Sequence, residues 1–105
     1  MELANKALLE QLIAIQGVAS DESSIKMFIK NYVETNKDKW VNQPQIIDGK
    51  GFQDTLILVF GKPRTAIYAH MDTIGYSTGY HKELIRVGGP KHIDGTHLVG
   101  KDSSG

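Results

Sequence analysis

The chain has 105 residues, with 12 Lys+Arg against 12 Asp+Glu and no cysteine. Balanced charge gives no electrostatic footprint for nucleic acid or an anionic membrane surface as a partner. The lack of cysteine excludes a disulfide framework and thiolate metal sites. The length suits one domain with a modest core, or part of one. No apolar run approaches the ~20 residues of a membrane span, and the N-terminus lacks the basic-then-apolar pattern of a signal peptide. A cytoplasmic protein is the expectation.

Residues from about Glu2 to Gln16 are predicted to form a helix. Leu3, Leu8, Leu9, Leu12, Ile13 and Ile15 give it an apolar stripe, and Gly17 is a natural stop. Ser20-Asp21 offers N-cap residues for a second helix. There Ile25, Phe28, Ile29, Tyr32 and Val33 fall at i, i+3, i+4, i+7 and i+8, a single-face pattern. It fades at Thr35-Asn36, before the turn Lys37-Asp38-Lys39. The two helices are expected to cover one face of a sheet and to carry no chemistry.

Trp40 to about Ile47 is expected to be extended, at an edge or irregular because Pro44 lacks a ladder donor. Asp48-Gly49-Lys50-Gly51 predicts a hairpin turn. Thr55 to Phe60 is almost wholly apolar and reads as a strand buried on both faces. After the turn Gly61-Lys62-Pro63-Arg64, Thr65 to Ala69 reads as a second buried strand. Helix, helix, then strands predicts an α/β fold, helices packed on a mixed, largely buried sheet, with residues 1–105 as one unit. Beyond Gly75 the text is polar and aromatic. Glu83 to Val87 reads as a short strand closed by Gly88-Gly89-Pro90. Residues 92–94 and 96–99 are weaker extended segments, and Gly100 to Gly105 resembles a turn opening a helix.

The chemistry concentrates where the second apolar strand ends, in His70-Met71-Asp72. In α/β sheets ligands collect beyond the carboxyl ends of strands. Side chains at i and i+2 of an extended segment share a side, so Asp72 can orient the His70 imidazole. Neutral imidazole is a common zinc ligand whose second nitrogen needs an acceptor. The alternative is a buried histidine satisfied by a nearby carboxylate. A second triplet, His92-Ile93-Asp94, has no apolar strand before it and reads as surface loop. His81 and His97 read as solvent-facing, and Tyr76 and Tyr80 as packing residues or cleft liners.

Ile67 to Gly75, with its His-Met-Asp core, resembles the first metal motif of the co-catalytic zinc exopeptidases, which include aminopeptidases, carboxypeptidases and aminoacylase-type amidohydrolases. Leu84-Ile85-Arg86-Val87-Gly88-Gly89 is similar to a strand of the same group ending in Val-Gly-Gly. Gly100-Lys101-Asp102-Ser103-Ser104-Gly105 is similar to its second motif, a glycine-flanked Asp at a helix start. The resemblance is specific over the two metal motifs and loose over the rest.

It implies the following. His70 is a terminal ligand of one zinc, Asp72 (the catalytic assignment) holds the His70 tautomer, and Asp102 bridges two metals. Zinc is the expected cofactor, two ions in the intact parent, with cobalt or manganese as alternatives. The activity implied is metal-dependent hydrolysis of peptide or amide bonds, on a peptide or N-acyl amino acid substrate. The 29 residues between Asp72 and Asp102 are closer to the aminoacylase and carboxypeptidase branch than to aminopeptidases with an inserted domain. A Glu-Glu pair bearing the general base, a further carboxylate and a late histidine have no counterpart in residues 1–105. The chain is therefore expected to be the N-terminal portion of such an enzyme, inactive alone, and prone to self-association or to pairing with the remainder. The alternatives are an ordinary helix N-cap for Asp102 and, for the whole, a non-catalytic α/β binding module.

Overall fold

A computed structural model describes residues 3–91 and 94–100. Helix α1 spans Leu3–Ala14 and α2 spans Ser23–Asn36. Strands β1 (Gln45–Ile47) and β2 (Ile57–Val59) form one two-stranded antiparallel sheet; β3 (Gly75–Thr78) and β4 (Leu84–Val87) form another. The fold thus combines α and β structure, with the helices before the sheets. No helix among the described residues is long and apolar enough to cross a membrane.

Helix α2 holds the core. Ile25 and Val33 are its buried apolar residues, with Phe28 and Ile29 half-buried beside them, as the single-face pattern requires. Its start falls slightly later than Ser20-Asp21. Ser20 takes a left-handed φ of 73°, and its N–H donates to Glu22 Oε1 at 3.0 Å. The Asp21 N–H closes a turn onto the Val18 carbonyl at 2.9 Å. Helix α1 appears where expected, but it buries none of its residues. Its apolar stripe does not cover a sheet face.

The β1–β2 hairpin forms around the predicted turn. Gln45 pairs with Val59, Ile46 with Leu58 and Ile47 with Ile57. Gly49 takes φ 127°, which a residue with a Cβ rarely adopts. The hairpin loop is fastened to α2 by charge. Lys26 Nζ donates to the Gln53 carbonyl at 3.0 Å and lies 3.6 Å from Asp48 Oδ2. Lys30 Nζ donates to the same carboxylate oxygen at 3.0 Å. Trp40 meets Phe60 with ring centroids 6.3 Å apart.

One large buried sheet is not what these residues form. Among the described residues the sheets are separate, and β2 is paired on one edge only. Ile57 and Phe60 are exposed, against the expectation of a strand buried on both faces. Residues 61–72 carry no strand pairing, and Ile67 and Tyr68 are 94% and 90% exposed. The physical reason is that a doubly buried strand needs neighbouring strands and a layer on each face. The described residues supply neither around 65–69. The accessible surface, 9104 Å², compares with about 5,800 Å² for a compact folded chain of this mass. Much apolar surface remains in water.

β3 and β4 pair with Gly75 opposite Val87 and Thr78 opposite Leu84. β4 matches the expected strand closely. β3 comes from the polar-aromatic stretch with no such expectation. Residues 94–100 take no regular structure.

Candidate functional site

His70-Met71-Asp72 lies between the hairpin β1–β2 and strand β3. The segment before it is unpaired, so the motif is held from its C-terminal side. The Thr73 N–H donates to the Gly17 carbonyl at 2.6 Å, and Thr73 Oγ1 donates to the same oxygen at 3.0 Å. Val18 and Thr73 form a parallel bridge. Two residues on, Gly75 leaves the room that Val18 fills: a Cβ there would overlap Val18 Cγ1. The loop between α1 and α2 is thereby docked against the residues that follow the motif.

The structure brings His70 and Asp72 together. His70 Nδ1 lies 3.2 Å from Asp72 Oδ1 and 3.1 Å from the Asp72 backbone carbonyl oxygen. Both partners are acceptors only, so Nδ1 carries the proton and donates. In the neutral ring the free lone pair then sits on Nε2, the nitrogen available to a metal. The His70 side chain is 85% exposed, which removes the alternative of a buried, internally satisfied histidine. None of the described residues covers the ring.

A closed metal site needs three or four such donors. Among the described residues no group of three or more His, Cys, Asp or Glu side chains is placed to hold a metal ion. His70 could supply one nitrogen, Nε2, to such a set. Asp102 and His92 lie outside the described residues. His81, at φ 60° in the β3–β4 turn, and His97 are both solvent-exposed, as expected.

An open hollow of ≈ 400 Å³ begins at Ile74, two residues beyond Asp72; Tyr76, Leu84, Pro90 and Leu98 give it apolar walls, with Lys91 at its margin. Tyr76 thus lines a hollow. Tyr80 lines a second, more open hollow with Thr78 and Ile85.

Sequence reasoning found the His70–Asp72 pair but missed Thr73 and Gly17. Their contact spans 56 positions, and no local periodicity reports it. No family model matches this chain, and no curated protein matches it.

Proposed function

We propose that this chain contributes part of a two-metal hydrolytic site acting on peptide or amide bonds, aminopeptidase-like or aminoacylase-like. The observation that carries the reading is the double engagement of His70 Nδ1 by Asp72 Oδ1 and the Asp72 carbonyl, which leaves Nε2 free and outward. The His-Met-Asp and Gly-Lys-Asp-Ser-Ser-Gly motifs support it from the sequence.

In this reading His70, through Nε2, and the Asp102 carboxylate are the residues of this chain that would hold the metal. Asp72 keeps the proton at Nδ1 and the ring in one orientation. When bound, such a metal pair would supply Lewis-acid polarisation of a scissile carbonyl and acidify a bound water. The hollow beside Ile74 and Tyr76 offers apolar walls to a substrate side chain. A two-metal site requires further ligands and a general base that residues 1–105 do not provide. The uncovered apolar residues near Ile67 and Tyr68 suit pairing with further polypeptide, or self-association.

The direct test is a zinc titration followed by NMR and calorimetry. The expected result is one weak site that perturbs the His70 ring, is lost in His70→Ala and is weakened in Asp72→Asn. Unchanged binding in His70→Ala would sink the assignment. For activity, a protein containing this sequence is expected to hydrolyse aminoacyl anilides or N-acyl amino acids and to lose that activity to a chelator. Chelator-resistant hydrolysis, or none, would count against the reaction class.

A further inference from the structure

We propose that Thr73 is a positioning residue for His70, acting through the Gly17 carbonyl: the α1–α2 loop aims the Asp72 carbonyl at the imidazole and so fixes which ring nitrogen is free. The role rests on the metal-binding reading of His70, while the orientation concerns only this chain's own atoms.

The argument begins with the peptide group joining Asp72 to Thr73. In a planar trans peptide the C=O and the following N–H point to opposite sides. The Thr73 N–H is held on the Gly17 oxygen at 2.6 Å. The Asp72 carbonyl must therefore point away from the α1–α2 loop, and there His70 Nδ1 meets it at 3.1 Å. The Thr73 hydroxyl binds the same Gly17 oxygen at 3.0 Å, so two donors of one residue clamp one acceptor.

The second acceptor, the Asp72 carboxylate, sits on a rotatable side chain that is partly in water. The backbone carbonyl is the anchored one of the two. Among the described residues these are the ring's polar contacts, and no packing replaces them at an exposed His70. The acceptor loop is itself fixed: Gly17 is buried, the Asp21 N–H closes onto the Val18 carbonyl, and Val18 fills the space that Gly75 leaves. A contact distant in sequence thus sets the orientation of a side chain that would otherwise turn freely.

The test uses the full chain labelled with nitrogen-15 and carbon-13. In the unmodified protein a scalar coupling across the hydrogen bond, from Thr73 N to Gly17 C′, should be observed; its absence overturns the proposal without any variant. Long-range proton–nitrogen spectra taken where the ring is neutral should show His70 mainly as the Nδ1–H tautomer. Thr73→Val removes the hydroxyl donor and leaves the backbone N–H as the remaining tie to the Gly17 oxygen, so it should shift His70 part of the way toward the tautomer mixture of an unrestrained imidazole, with His81 unchanged as the internal reference. It should also weaken zinc binding about tenfold, the lower end of what losing an orienting group costs a metal-bound histidine. Thr73→Ser, which keeps the hydroxyl, should restore both. Wild-type tautomer and zinc affinity in Thr73→Val overturn the proposal, as does failure of Thr73→Ser to restore them. Zinc binding that survives His70→Ala would instead remove the metal reading and leave the tautomer measurement to judge the clamp.

Discussion

Two apolar segments of this chain meet opposite fates. The face of α2 is buried, down to 2% exposure at Val33. The run Ala66-Ile67-Tyr68-Ala69 lies in water. Hydrophobicity does not separate them; the source of their hydrogen bonds does. A helix satisfies its backbone internally, so an apolar stripe needs only one covering surface. A strand takes its hydrogen bonds from a neighbour, and residues 65–69 have no paired neighbour among the described residues.

The contrast can be broken first at its strongest point. Ile25→Ala is expected to cost about 2 kcal/mol, the low end for a buried aliphatic truncation because the α2 face is shallowly covered. Ile67→Ala should stay within about 0.5 kcal/mol, as surface changes do. Urea midpoints of the two variants measure both. Equal losses would mean that 65–69 is packed in solution, through association or rearrangement.

The same physics explains what could be read from the sequence. The helices were legible because periodicity and stops are local: the expected span from about Glu2 to Gln16 contains α1, and Ile25 and Val33 are the apolar residues α2 buries. Asp48 to Gly51 announced the hairpin turn, and Glu83 to Val87 announced β4. The partners of strands were not legible. Gly75 to Thr78 is a strand because Leu84 to Val87 lies opposite, while the more apolar Ile67 is in none. The His70–Asp72 pair was legible because i and i+2 is a local relation. The Gly17–Thr73 clamp and the Lys26–Gln53 bond join distant positions and left no local trace. Lys26 is the clearest case: a lysine beside Ile25 reads as surface, yet it is buried under the hairpin loop.

A smaller or comparable effect is expected where the α1–α2 loop meets the motif. Gly75→Ala places a methyl against Val18 Cγ1, and overpacking of this kind costs about 1–3 kcal/mol. Because the clash is with one side chain, Val18→Ala should relieve it. The double variant should then be more stable than the sum of the single losses implies, which a double-mutant cycle measures. Strict additivity would place Val18 away from Gly75 and loosen the docking on which Thr73 depends.

The smallest effects concern two ion pairs that differ in burial, and acid separates them. The hydrogen bond from Lys30 holds the Asp48 carboxyl below its ordinary pKa, helped by the charges of Lys30 and Lys26 and opposed by partial burial. A depressed folded-state pKa favours the folded chain above the unfolded value, about 3.9 for Asp. That contribution disappears as pH falls through the folded value. The urea midpoint should therefore lose an Asp48 contribution only below about pH 4. Asp48→Asn should lower the midpoint at neutral pH and flatten the acid limb. Lys37 is raised, chiefly by its hydrogen bond to Glu34. Its contribution is present below the unfolded value, about 10.4, and is lost as pH rises through the folded one. This pair joins neighbouring turns of one helix end at the surface, where ion pairs contribute little, whereas Asp48 ties two elements together. Glu34→Gln should consequently move the neutral-pH midpoint less than Asp48→Asn does. The reverse order would mean that the hairpin is not fastened to α2 through its loop.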